Sequence, residues 1–222
     1  TARNVVVQGE AFTGAQGPVP LTTAVPTFPA DPGVQKIIDT YRAAAIPLAQ
    51  RPVGQAQGAM RRQPNAALES VLGNLVADAQ LLATRAPEDG GAQLSFMNPG
   101  GLRADLVPDE QGLVRYGQLY AVQPFGNQLV IKTFTGAQIR AVLEQQFASG
   151  GNTVQRPRVL SVSSGFSYRY DLSQPAGARI SHMVLNGVPV TDTQSVRVVM
   201  SSFLDSGGDN FTVLTQGQDR RV

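Results

Sequence analysis

Three short loops place an amide, a guanidinium, a carboxylate or an aromatic ring beside glycine. The first loop covers residues 98–103, the second is Phe125-Gly126-Asn127, and the third covers residues 203–209. Glycine lets the backbone approach a ligand closely, aromatic faces stack on planar rings, and a carboxylate accepts hydrogen bonds from vicinal hydroxyl groups. Together the loops predict a nucleoside pocket, although each one alone also fits an ordinary turn beside a core phenylalanine.

The residues needed for metal or acid–base catalysis are scarce. The chain has one histidine, His182, and no cysteine, whereas a two-metal phosphoesterase centre needs several histidine and aspartate ligands. A Ser-His-Asp triad would need a Gly-x-Ser-x-Gly turn, which is absent, and thiolate chemistry and disulfides are excluded. We predict no catalytic residue and no metal site on this chain, with His182 as a solvent-facing strand residue.

Composition bounds the class of protein and its partners. A chain of 222 residues that is 42% hydrophobic buries a core of its own and fits one large domain with an extra segment. The 18 basic residues are almost all arginine and are dispersed, without the aromatic-interleaved basic stripe typical of nucleic-acid binding. No apolar run approaches the roughly 18 residues of a membrane span. We therefore expect neither a nucleic-acid partner nor a transmembrane segment.

The first half of the sequence predicts connecting chain and two helices. Residues 1–33 are proline-rich and predict extended or connecting polypeptide. Asp31 as N-cap and Pro32 at the first position begin a helix that Pro47 should end. A second helix is expected over residues 67–84, because apolar residues recur there at spacings of three and four.

Strands and a third helix are predicted around the first two loops. Residues 93–97 predict a short buried strand that leads into the first loop, and residues 122–133 a strand that the second loop interrupts. Thr135 caps a helix that should continue through Phe147 until Gly150-Gly151 ends it.

The last seventy residues change from helical to alternating periodicity. Asn186-Gly187 is the strongest hairpin signal of the chain. These patterns predict an α+β fold with a mixed, largely antiparallel sheet and helices packed against it. The strands are expected at residues 159–162, 166–171, 179–185 and 196–200.

Five motifs in this order resemble the C-terminal domain of the family of 5′-nucleotidases, UDP-sugar hydrolases and 2′,3′-cyclic phosphodiesterases. The resemblance covers about residues 65–215. The motifs are LGNLVAD at residues 72–78, MNPGGLR at 97–103, QPFGN at 123–127, SGF at 164–166 and FLDSGGDNF at 203–211.

The resemblance implies a set of substrate-binding residues. Phe125 and Phe203 would sandwich the base, and Asp209 would accept hydrogen bonds from the ribose hydroxyl groups. The amide and guanidinium side chains would contact base or phosphate edges, and Gly165 matches a glycine lining the same pocket. The full set is Asn98, Gly101, Arg103, Phe125, Asn127, Gly165, Phe203 and Asp209.

One feature departs from the family pattern. Many members carry another phosphate-binding arginine shortly before the Leu-Gly-Asn motif, where this chain has Leu68 and Glu69, and Arg61 and Arg62 lie too far upstream to align. Either Arg103 holds the phosphate alone, or the preferred substrate is another phosphoester such as a cyclic nucleotide.

The resemblance also implies a catalytic half outside this chain. In the family, an N-terminal metallophosphoesterase domain with two divalent metal ions cleaves the phosphate. Residues 1–30 would be the tail of that domain, residues 31–48 an interdomain linker helix, and residues 49–222 the substrate-binding domain. The chain would then be a fragment, a proteolytic product or one part of a two-chain assembly, and no cofactor is expected on it.

The leading hypothesis is the nucleotide- or nucleoside-binding domain of a secreted phosphoester hydrolase, inactive without its partner domain. The alternatives are a non-catalytic nucleoside-binding or structural module of a cell-envelope assembly, and a stand-alone enzyme of unrelated chemistry. The N-terminus lacks signal-peptide features, so either the protein is intracellular or the chain begins after cleavage. The resemblance favours a periplasmic, cell-envelope or extracellular location.

Overall fold

The computed structural model describes residues 9–14, 17–22 and 28–222. The chain divides into two compact units, Thr1–Ala49 and Gln50–Val222. Part of the proline-rich segment predicted as connecting chain, namely residues 1–8, 15–16 and 23–27, lies outside the described residues.

The described residues of the first unit form a short hairpin and one helix. Strands β1 (Phe12–Gly14) and β2 (Gly17–Val19) pair antiparallel, and helix α1 spans Pro32–Ala49. The Asp31 Oδ1 accepts hydrogen bonds from the backbone N–H groups of residues 33 and 34 at 2.7 and 3.0 Å, which confirms the predicted N-cap. The prediction that Pro47 ends the helix is wrong. Pro47 lies in the last turn, where its missing N–H removes one backbone hydrogen bond without preventing two more helical residues.

The second unit is built on a mixed five-stranded sheet. Its strand order is β12-β6-β11-β4-β7, in which β11 and β4 are parallel and the other pairs antiparallel. The strands are β4 (Leu94–Met97), β6 (Leu129–Thr135), β7 (Ser161–Val162), β11 (Ser195–Ser201) and β12 (Gln218–Arg221).

Two smaller antiparallel sheets complete the unit. One joins β3 (Pro52–Gln55) to β5 (Leu113–Arg115), and the other has the order β10-β9-β8. Asn186 and Gly187 both have positive φ, 50° and 81°, in the two-residue turn between β9 and β10, which confirms the predicted hairpin. The three strands are β8 (Phe166–Tyr170), β9 (Ile180–Leu185) and β10 (Val188–Pro189).

Four α-helices belong to the second unit, and two of them cover the sheets. Helix α4 begins after Thr135, whose side chain forms the predicted cap together with Gln138. The apolar face of α4 enters the main core, and α2 packs on β4 and β7. The helices are α2 (Val71–Thr84), α3 (Tyr116–Val122), α4 (Gly136–Glu144) and α5 (Ser202–Asp205). The α+β prediction is confirmed.

Several predicted boundaries are wrong for local reasons. Helix α2 begins four residues late, because Leu68 has a φ of 60° and the Ser70 Oγ caps the helix by accepting from the Gly73 N–H. Val122 ends a short helix and does not lie in a strand. The residues after Glu144 form a turn, although Phe147 is still buried in the core.

Candidate functional site

The three loops meet at one edge of the five-stranded sheet. The first loop follows β4 and the third follows β11 after one residue, and the carboxyl ends of these parallel strands share an edge. The second loop precedes β6, which is antiparallel to β11 with Leu129 opposite Ser201, so its start lies at the same edge. Strand order and direction therefore bring together three loops that are spread over residues 98–209.

These loops form a cleft of about 350 Å³. Seven of the eight predicted binding residues line it, together with two residues that the sequence did not single out, Gly100 and Arg158. The lining residues are Asn98, Gly100, Gly101, Arg103, Phe125, Asn127, Arg158, Phe203 and Asp209.

The carboxylate of Asp209 is held from two sides. Its Oδ2 accepts a hydrogen bond from the Asn98 Nδ2 at 2.8 Å, and its Oδ1 lies 3.3 Å from the Arg158 Nη1. The backbone is left-handed at Asp209, with φ 54°, and its carbonyl accepts from the Asn152 Nδ2 at 2.8 Å. A carboxylate has about four acceptor positions, so this side chain is oriented and still has acceptor capacity for a ligand.

The glycines of the first loop leave little space for a side chain. A Cβ on Gly100 would lie 3.2 Å from the Asp209 Oδ2, and one on Gly101 would lie 2.4 Å from the Met97 Cε. The Asn98 side chain beside them is buried. Small residues here keep the floor of the cleft open to its amide and carboxylate.

Two phenylalanine rings are half exposed in the cleft. Phe125 is 49% and Phe203 42% exposed. The Arg103 guanidinium lies over the Phe125 ring at 5.9 Å, and its Nη1 donates to the Gly100 carbonyl at 3.4 Å. A Cβ on Gly208 would lie 2.5 Å from the Phe203 ring, so that glycine makes room for the aromatic side chain. Rings with exposed faces can stack on a planar ligand.

Hydrogen bonds join the second loop to the start of α5. The Ser202 Oγ donates to the Asn127 Oδ1 at 3.3 Å, and the Ser202 N–H donates to the Gln128 carbonyl at 2.9 Å. Because Phe203 follows directly in α5, these bonds fix the positions of the two aromatic loops relative to each other.

A buried ion pair supports the other end of α5. The side chain of Asp205 is 11% exposed and pairs with the Lys132 ammonium of β6 and with the Arg220 Nε, the latter at 2.9 Å. Burial raises the pKa of this carboxyl, but its bonds to Lys132 and Arg220 outweigh burial and hold the pKa below its ordinary value.

Gly165 is the one predicted binding residue that the structure places outside the cleft. It lies in the turn before β8 with φ +88°, and its carbonyl accepts from the Asn186 N–H at 2.7 Å. The neighbouring Ser164 donates from both N–H and Oγ to the Asp78 Oδ1 at 2.6 Å. The SGF and LGNLVAD motifs therefore contact each other.

Arg61 and Arg62 do not replace the arginine missing before the Leu-Gly-Asn motif, because both are engaged beside the first loop. The Arg61 Nη1 lies 3.4 Å from the Asp105 Oδ2, and the Arg62 Nη1 donates to the Leu102 carbonyl at 3.3 Å. Neither is among the residues that line the cleft. The positive charge in the cleft comes from Arg103 and Arg158.

Across residues 9–14, 17–22 and 28–222, no group of three or more histidine, cysteine, aspartate or glutamate side chains is arranged to hold a metal ion. His182 is exposed on β9, with its Nδ1 3.1 Å from the Ser181 Oγ. Within the same described ranges, no helix combines the length and apolarity needed to cross a bilayer.

Comparison with known proteins identifies relatives in sequence and in fold. The crystal structure of a 5′-nucleotidase precursor from Thermus thermophilus is 35% identical with a TM-score of 0.70, over 87% of this chain and 38% of that one. A trifunctional nucleotide phosphoesterase of Bacillus subtilis is 33% identical over 67% of this chain and 10% of its own length. A cell wall protein of Listeria monocytogenes is 35% identical over 65% of this chain and 18% of its own length. The chain thus spans less than two fifths of each of these relatives.

The family model for the 5′-nucleotidase C-terminal domain matches residues 52–216. This range is most of the chain and includes every residue that lines the cleft. The chain therefore belongs to the 5′-nucleotidase family, as its C-terminal domain.

Proposed function

We propose that this chain is the substrate-binding domain of a secreted 5′-nucleotidase-type phosphoester hydrolase and that its cleft holds the nucleoside part of a nucleotide. The observation that carries the proposal is the convergence of Phe125, Phe203 and Asp209 on one cleft of about 350 Å³. This volume lies within the range of about 300–1,000 Å³ that small-molecule sites occupy.

Each group in the cleft suits one part of a nucleotide. The base stacks between the rings of Phe125 and Phe203, which accept any base because every base has a π-face. The ribose hydroxyl groups donate to Asp209, and the phosphate points towards Arg103. The side chains of Asn98 and Asn127 complete the polar edge of the cleft.

Hydrolysis belongs to another domain in this proposal. Residues 1–30 are the tail of a two-metal phosphoesterase domain, residues 31–48 the linker helix, and residues 49–222 the substrate domain. Two divalent metal ions in that domain would activate water and neutralise the phosphate, while this chain binds and orients the substrate. Relatives that include a cell wall protein support an extracellular or cell-envelope location.

The test is calorimetric titration of the chain with adenosine and with AMP, alongside a phosphate-release assay with added manganese. We expect binding of both ligands and no phosphate release by the chain alone. Binding of neither ligand would reject the proposal in favour of a structural envelope module. Phosphate release by the chain would reject the division of labour between two domains.

A further inference from the structure

The pairing of β7 with β4 places Arg158 at the cleft. It lies three residues before β7, which is antiparallel to β4 with Ser161 opposite Met97. The start of β7 is therefore at the edge where β4 ends and the first loop begins. The Arg158 N–H donates to the Gln146 carbonyl at 3.0 Å, which ties its backbone to the turn after α4.

The side chain of Arg158 contacts the Asp209 carboxylate, the proposed hydrogen-bond acceptor of the cleft. Its Nη1 lies 3.3 Å from the Asp209 Oδ1, and 45% of the side chain is exposed. Asn98 holds the other oxygen of the same carboxylate at 2.8 Å. One charged and one neutral donor therefore fix both oxygens, and neither uses all of the acceptor positions of its oxygen.

The Asp209 side chain starts from a left-handed backbone. Both Asp209 and Asn210 have positive φ, 54° and 67°, a conformation that is uncommon for non-glycine residues and in which Asp and Asn are enriched. The side chain starts from an uncommon backbone geometry, and contacts from other loops decide where its carboxylate points.

The two arginines of the cleft occupy different places. The Arg103 guanidinium lies over the Phe125 ring, 5.9 Å from its centroid. The Arg158 guanidinium pairs with Asp209, on the side of the proposed sugar. Removing each cation should therefore affect different parts of a ligand.

We propose that Arg158 is a positioning residue for sugar recognition and sets the selectivity of the cleft for ligands with free vicinal hydroxyl groups. It holds the Asp209 carboxylate so that the remaining lone pairs face the cleft. The inference rests on the proposed function, because it assumes that a nucleoside occupies the cleft.

The test is calorimetric titration of the chain with adenosine, 2′,3′-dideoxyadenosine and adenine. The variants are Arg158→Ala, Arg158→Lys and, as a matched control on the same loop, Arg156→Ala. In Arg158→Ala we expect the adenosine Kd to rise about tenfold, the scale of one hydrogen bond to a charged group. The Kd values for dideoxyadenosine and adenine should stay within about twofold, the lysine variant should recover part of the loss, and the control should match the parent.

A double-mutant cycle with Asp209→Asn separates positioning from direct contact. Because Arg158 acts through the carboxylate, the double variant should bind adenosine about as weakly as Asp209→Asn alone. Equal weakening of all three ligands would overturn the inference, since it would indicate a general structural role. Unchanged adenosine binding in Arg158→Ala would overturn it and leave the proposed function intact, whereas failure of the parent to bind adenosine would overturn both.

Discussion

The Phe203 ring provides a sharp test of base stacking, because it is half exposed and contributes little to the core. Phe203→Ala should weaken adenosine binding by about 1–3 kcal/mol, the value of one stacked base on an aromatic face. Phe203→Tyr keeps the ring face and should bind nearly as well as the parent. The measurement is calorimetric titration, with a thermal melt to verify folding. Retention of parental affinity in the alanine variant would show that this ring does not stack on the base.

Gly208 tests the same ring indirectly. A Cβ there would lie 2.5 Å from the Phe203 Cε1 and 2.6 Å from its carbonyl oxygen, so Gly208→Ala must displace the ring or the backbone of the third loop. We expect a Kd for adenosine at least about fivefold higher, within the range expected for one lost stacking face. Gly126→Ala is the matched control, because a Cβ at Gly126 meets nothing within 4 Å. Equal affinities of the two variants would contradict this packing.

The single residues that the sequence identified were those with local signatures. Glycine beside phenylalanine or asparagine is visible in the chain itself, and seven such residues do meet in one cleft. Arg158 has no local signal, because its role depends on β7 pairing with β4 and on a carboxylate about fifty residues further along. Gly165 shows the converse: its motif is distinctive, yet it packs against the Asn186 turn.

At the scale of elements, strands and helices position the residues of the cleft. Helix α5, which carries Phe203, is held by a buried ion pair at its end. The pKa of Asp205 is lower in the folded chain than its ordinary value of 3.8. The pair therefore stabilises the fold fully above that value, and the contribution is lost as the pH falls through the lower folded pKa. We expect the free energy of unfolding in urea to decrease between pH 5 and pH 2, with a smaller decrease in Asp205→Asn.

At pH 7 the same variant should be less stable by up to about 3 kcal/mol, because it leaves a buried lysine without its counter-charge. Asp192→Asn is the control. It breaks an exposed pair with Arg140, whose cost should be at most about 1 kcal/mol. Equal losses of stability in the two variants would show that burial does not increase the contribution of the Lys132–Asp205 pair to the free energy of unfolding.

At the scale of elements, the sequence predicted what local chemistry determines. The caps at Asp31 and Thr135 and the Asn186-Gly187 turn follow from short-range hydrogen bonds and backbone preference. The start of α2 was wrong because a left-handed Leu68 precedes its cap. Helix α3 was missed because its seven residues are too few to show a clear helical period.

At the scale of the whole molecule, every residue that lines the cleft belongs to the unit Gln50–Val222. A chain truncated to residues 50–222 should therefore fold and bind adenosine with the Kd of the 222-residue chain, within about twofold. Adenosine at a concentration of a hundred times its Kd should raise the free energy of unfolding of either chain by about 2.7 kcal/mol. Calorimetry and thermal melts with and without adenosine measure both effects. Loss of binding on truncation would show that residues 1–49 contribute to the site.

The family assignment from the sequence was correct because the five motifs keep their order along one domain, and the matching family model spans residues 52–216. The roles of the individual motifs were harder to predict. Two of the five, at residues 72–78 and 164–166, are joined through Asp78 and Ser164. Motif order identifies a family, whereas the division between binding and packing depends on contacts across the sheet.

Strand β11 is hydrogen-bonded to β4 on one side and to β6 on the other, and it carries the third loop at its end. Inserting or deleting one residue within β11 would shift that loop by about 3.3 Å relative to the first two. Such a shift is close to the thickness of an aromatic ring. The length of this strand therefore sets the position of the third loop relative to the first two loops.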